Sequence, residues 1–150
     1  MVDPAREIEN LLYTYAERID AGDLEGVADL FAHGRIAATA EAGPEETFEG
    51  RDRVLALYRG TVRIYDDGSP HTKHVTTNPI IEVDERANTA SARSCYTVFQ
   101  RVGDTPLEPI ISGRYLDTFQ RIDGRWWFGT RIMIVDLVGD LSRHLLYELG

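Results

Sequence analysis

Apolar residues in the first part of the chain recur at helical spacing, and from His74 onward they recur every second residue, so a helical half precedes a strand half. Asp3 and Pro4 fit an N-cap and a first helical position. Ile8, Leu11, Leu12, Tyr15 and Ile19 then share one face, which predicts a helix ending near Ala21-Gly22. Asp23 caps a second, short helix with Val27, Leu30 and Phe31 as its apolar positions before the break at Gly34. Arg35 to Thr39 reads as a short strand, and the Glu-, Gly- and Pro-rich run from Glu41 to Gly50 reads as a loop. A third helix is expected from about Arg51 to Tyr65, with Val54, Leu55, Tyr58 and Val62 at periodic positions and Asp66 to Pro70 ending it.

Four strand-like runs follow, near residues 73–84, 88–102, 108–122 and 125–136, and predict an antiparallel sheet. Asp123-Gly124 is the strongest turn signal, because that dipeptide suits a two-residue type I′ hairpin. Leu141, Leu145 and Leu149, at spacings of four, predict a C-terminal helix over residues 137–149. The fold class expected is therefore α+β. Helices cover one face of a strongly twisted sheet, and the pocket between them is lined by the first and third helices and the inward strand faces.

Composition narrows the setting. With 150 residues and 43% hydrophobic content, a single domain over 1–150 with one core is expected. The net charge of -9 and the lack of a basic run make nucleic acid and anionic membrane surfaces unsuitable partners, and leave a small hydrophobic molecule as the fitting ligand. Cys95 stands alone, so it forms no internal disulfide and no cysteine metal cluster. It is expected to be a packed thiol in a reducing cytoplasm. The N-terminus lacks the basic-then-apolar pattern of a secretion signal. The most apolar run, Trp126 to Gly139, is broken by Arg131 and Asp136 and is too short to span a bilayer as a helix.

Candidate chemistry centres on Asp20, at the end of the first helix, and His74, at the start of the strand half. A carboxylate that fixes one tautomer of an imidazole makes it a general base near neutral pH; the plain alternative is a solvated helix-end carboxylate and a strand histidine bonded to backbone. A metal site built from His71, His74 and Asp20 is disfavoured, because two histidines three apart at the start of a strand point in different directions. Tyr115 is expected to line the pocket. Tyr15, Tyr58 and Tyr96 share that reading, with core packing the expected role of at least two. Arg114 is expected in a cross-strand ion pair on the face opposite Tyr115 and Asp117. Of Trp126 and Trp127, one should face the helices and the other the outside; His33 and His144 are expected at the surface.

Several segments together resemble the SnoaL-like branch of the NTF2-like superfamily of cone-shaped α+β proteins. They are Asp20-Ala21-Gly22-Asp23 with Leu30-Phe31, Phe48-Glu49-Gly50-Arg51, His74 to Asn78, Gly113 to Asp117, and Ile122 to Trp126, covering roughly residues 5 to 136. Within that superfamily the chain resembles the branch of scytalone dehydratase and hexachlorocyclohexane dehydrochlorinase, enzymes that use an aspartate and histidine pair without a cofactor. The resemblance implies His74 as base, Asp20 as its partner and Arg131 as a cavity arginine, with no metal and no cofactor. It also places Phe99 where the dehydratase has a second histidine and Tyr115 near its substrate-binding asparagine, and Tyr15, Tyr58, Tyr96, Tyr115 and Phe99 are the residues expected around the substrate. The implied activity is that of a lyase or isomerase on a small apolar cyclic molecule, in a homodimer or homotrimer. A noncatalytic binding or assembly module, akin to the small subunit of a ring-hydroxylating dioxygenase, is the alternative that the superfamily also offers.

Overall fold

The computed structural model describes residues 2–147. Among them, helix α1 spans Pro4–Asp20, α2 Leu24–Asp29 and α3 Arg51–Thr61. Strands β1 (Arg35–Ala37), β2 (Thr47–Glu49), β3 (Thr72–Asp84), β4 (Thr89–Gln100), β5 (Glu108–Ile122) and β6 (Arg125–Val138) form one sheet in the order β2-β1-β6-β5-β4-β3. The N-terminus of α1 follows from sequence: Asp3 Oδ1 accepts the Ala5 N–H at 3.0 Å and Pro4 occupies the first turn. Asp23 likewise caps α2 by accepting the Gly26 N–H at 2.9 Å. Between these helices Gly22 adopts φ +76, and a Cβ there would collide with the Gly68 carbonyl, so only glycine lets the turn lie against the loop before β3.

The apolar stripe of α1 (Ile8, Leu12, Tyr15, Ile19) and that of α3 (Val54, Leu55, Tyr58) are buried against the inward sheet face. On β4 the alternation is regular: Ala90, Ala92, Ser94, Tyr96, Val98 and Gln100 all point inward. On β3, Asn78 takes φ 56 and the register with β4 shifts between Thr77 and Ile80. That bulge switches parity, so Thr72, His74 and Thr76 face inward before it and Ile81 and Val83 after it. The Asp123-Gly124 hairpin has positive φ at both positions, 50 and 81, as a type I′ turn requires.

Three expectations are corrected. The sheet is mixed, because β1 runs parallel to β6, with Ile36 opposite Arg131. The Glu41 to Gly50 segment holds a 3-10 turn at Pro44–Glu46 and then β2, whose three residues pair with β1; a strand so short shows no alternation in sequence. The C-terminal helix is absent over the described residues. Leu137 and Val138 complete β6, Asp140 accepts the Ser142 N–H at 2.9 Å to start a turn, and Leu145 bridges to Val62; Leu149 lies outside the described residues. The leucine spacing was real but reports a strap of turns whose Leu141 side chain is buried. α3 correspondingly ends at Thr61 rather than Tyr65, since Val62 and Arg63 extend to pair with that strap. No helix among the described residues is long and apolar enough to cross a membrane.

Candidate active site

Helix α1 packs across β3 and ends on Asp20, and the parity of β3 turns His74 toward it. A carboxylate at a helix C-terminus opposes the helix dipole, so it needs donors. It has three. Thr72 Oγ1 donates to Oδ1 at 3.0 Å, the His74 backbone N–H donates to Oδ2 at 2.8 Å, and His74 Nδ1 lies 2.6 Å from Oδ1. A carboxylate only accepts, so Nδ1 carries the hydrogen and Nε2 presents its lone pair. Both side chains are largely enclosed, at 8% exposure for His74 and 14% for Asp20.

His74 also lines a cavity of about 300 Å³ between the helices and the sheet. Tyr15 and Ile19 of α1, Leu57 and Tyr58 of α3, Tyr96 and Tyr115 of the sheet, and Met133 form much of its wall. The strap closes it with Leu141, His144, Leu145 and Tyr147. A larger open groove of about 810 Å³ runs past Arg35, Glu82 and Gln120, but none of the dyad or the tyrosines reaches it. The smaller, mostly apolar chamber is the better match for a small ligand.

The tyrosine hydroxyls supply the cavity's polar points. Tyr15 and Tyr58 share a very short hydrogen bond between their hydroxyls. Burial pushes both phenols up from their ordinary value, so both remain neutral donors at neutral pH. Tyr96 stacks on Tyr115 with ring centroids 4.4 Å apart and donates to the Ile134 carbonyl at 3.1 Å; burial pushes it up to about 12. All four expected tyrosines therefore line the cavity, and all four are also core residues.

Two expected site residues lie elsewhere. Arg131 faces inward but sits behind the Tyr15 and Tyr115 rings, 4.2 and 3.7 Å from their centroids, and does not line the cavity. Its guanidinium binds Asp117 on both oxygens at 2.8 and 3.0 Å, and both side chains are fully enclosed. Burial works against the charge on Arg131, yet Asp117 outweighs it and holds the guanidinium protonated. Phe99 points to the opposite face of β4 from Tyr96 and Val98, since alternation places every odd position of that stretch outside; Val98 lines the cavity instead.

His144, expected at the surface, is buried in the cavity wall with its ring centroid 6.4 Å from that of His74. Burial, reinforced by the neighbouring His74, pushes it down to about 4. His71 bonds to Asp67 at 2.9 Å and stacks on Tyr65, well apart from the dyad.

The SnoaL-like domain family matches residues 2–132. The chain belongs to that family. A comparison with curated proteins returns no match. Among solved structures, an NTF2-like protein with a cystatin-like fold from Novosphingobium aromaticivorans is 24% identical, with 87% of this chain and 80% of that one covered at a TM-score of 0.69. A protein described as a candidate scytalone dehydratase from the same organism is 24% identical, with 97% and 89% covered at 0.71. LinA is 17% identical, with 92% and 89% covered at 0.69. At these identities the likeness establishes the fold, an NTF2-like α+β cone.

In this SnoaL-like chain, then, His74 and the four tyrosines line one chamber and Asp20 holds His74 from outside its wall, while Arg131 and Phe99 do not line it. His144 and the Asp117 bond to Arg131 were missed. For Asp117 a signal existed: it shares an inward parity with Tyr115 and Phe119, where an unpaired carboxylate cannot stay. For His144 the signal was weaker, its place between Leu141 and Leu145 on an apolar stripe.

Proposed function

We propose that the protein is a cofactor-independent lyase or isomerase acting on a small, mostly apolar cyclic molecule, with His74 as general base and Asp20 as its partner. One observation carries this reading. The ring that lines the cavity is the ring whose Nδ1 is held by a carboxylate, which leaves Nε2 without a hydrogen-bond partner among the described residues and free to act as a base. The folds shared with LinA and the candidate scytalone dehydratase support it.

In the reaction, Nε2 takes a proton from carbon beside a carbonyl, and the C–H electron pair becomes an enolate. The negative charge on the enolate oxygen is met by the Tyr15 and Tyr58 hydroxyl pair, and the imidazolium is stabilised by Asp20. Where a ring double bond extends the enolate, the His74 imidazolium returns the proton to its far carbon, as an isomerase does; where a leaving group sits on the carbon next to the enolate, collapse breaks that bond and the departing group takes the proton from the imidazolium, as in a lyase. The mostly apolar lining strengthens each of these contacts. A base placed this way contributes about 10² to 10⁴-fold.

A noncatalytic binding module would keep the cavity but has no need of an oriented imidazole. The distinction is measurable without knowing the natural substrate. Incubation in D₂O with cyclohexanone or 2-cyclohexenone should give deuterium incorporation next to the carbonyl, read by mass spectrometry. His74→Ala should bring the rate down to that of buffer. Ring ketones that bind the wild-type cavity yet exchange no faster than in buffer would remove the base from the account.

A further inference from the structure

Residues from Gly139 to Tyr147 form the strap that closes the cavity, and its backbone is pinned from several sides. The Arg63 N–H donates to the His144 carbonyl at 2.8 Å and the Leu146 N–H to the Thr61 carbonyl at 2.9 Å. The Gln100 amide and the Tyr65 hydroxyl both donate to the Arg143 carbonyl, at 3.0 and 2.5 Å. His144 is thus placed by its backbone. Its ring takes no part in that anchoring.

The ring's own environment combines a cavity face with an enclosed polar atom. His144 is buried, lines the cavity, and its Nδ1 is enclosed with no hydrogen-bond partner among the described residues. An enclosed polar atom without a partner opposes folding, and leucine or phenylalanine would fill the same space without that cost. The His74 and His144 rings stand 6.4 Å apart at 68°. No hydrogen bond joins the two rings, and both residues line the same cavity, so one bound molecule can touch both. Burial keeps His144 neutral at neutral pH, so it retains one N–H and one lone pair. It also adds no charge to repel the imidazolium that forms on His74.

We propose that His144 is a substrate-binding residue that hydrogen-bonds an oxygen of the substrate, so that the site selects oxygenated rings, alcohols or ketones, over halogenated rings of the same size. This rests on the reading of the cavity as the site of His74 chemistry, and it narrows the substrate class. A neutral imidazole can bond a hydroxyl in either direction, as donor or acceptor, whereas carbon-bound chlorine is a poor acceptor and no donor. A site built to bond a hydroxyl rejects the analogue that lacks it.

The test is a titration of the whole chain with cyclohexanol and with chlorocyclohexane, in wild type, His144→Phe and His144→Gln. Thermal melts establish that each variant is folded, and the glutamine variant supplies a second reading should the phenylalanine variant fail. The expected result is that His144→Phe weakens cyclohexanol binding about threefold to tenfold, the worth of one net hydrogen bond, and leaves chlorocyclohexane binding unchanged. Glutamine should recover part of the loss. In ¹⁵N spectra, His144 should shift on addition of cyclohexanol and not of chlorocyclohexane. Equal weakening for both probes, no weakening for either, or no binding of cyclohexanol to wild type would each overturn the inference. Loss of alcohol preference in His74→Phe but not in His144→Phe would overturn it too, while leaving the dyad standing, because the dyad is read separately from the tautomer of His74.

Discussion

Asp117 with Arg131 is a buried pair and Asp20 with His74 a partly buried one, each an aspartate with a nitrogen donor, yet they are set in different surroundings. Arg131 is bonded on two nitrogens, covered by the rings of Tyr15, Tyr115 and Phe128, and sealed from solvent. His74 is bonded through one ring nitrogen, and the residue lines a cavity. In the first pair the carboxylate neutralises a charge that the core cannot otherwise hold. In the second it orients a ring that remains available to a ligand. The difference separates a pair that packs under the tyrosine layer from one that, on the proposed reading, transfers a proton.

The comparison breaks most visibly at Asp117. Asp117→Ala leaves a guanidinium buried without its counter-charge, which should cost about 3–5 kcal/mol and is read from denaturant unfolding. A change well below that would mean Arg131 reaches water and the two pairs are not so different. Next in size is an effect of pH through His144, which faces His74 and Asp20. In the unfolded chain its imidazole titrates near 6.5, and in the folded chain near 4. Between those values the unfolded state holds more protons, so stability falls as pH drops from about 6.5 to about 4 and is level above that window. The loss should be on the order of 2–3 kcal/mol relative to His144→Phe, which lacks this titration. Parallel pH profiles of the two proteins would contradict it. The smallest stability effect is expected at the dyad itself. Asp20→Asn keeps an acceptor for Thr72 and should cost about 1 kcal/mol, while ketone exchange falls to that of the His74→Ala variant.

Much of the scaffold was readable because its signals are local. Caps at Asp3 and Asp23, the period change before His74 and the Asp123-Gly124 turn each act within a few residues. The parallel pairing of β1 with β6 was not readable, since residues almost a hundred positions apart meet through a three-residue strand. Periodicity also misjudged the strap, where turns set by Asp140 place Leu141 and Leu145 on one side as a helix would. At the site, the meeting of Asp20 and His74 was suggested by resemblance rather than spacing, and the parity of β3 realises it. Phe99 failed on the same rule by which Val98 succeeds, strand alternation, and Arg131 failed because its partner Asp117 was not matched to it.

The central claim is that Asp20 fixes the tautomer of His74 so that Nε2 is the free base. Nitrogen-15 NMR of the ring reads this directly in the absence of any substrate. The wild-type protein at neutral pH should show a protonated Nδ1 and an unprotonated Nε2, and Asp20→Asn should lose that preference. A wild-type ring protonated on Nε2, or one unaffected by the substitution, would contradict the account.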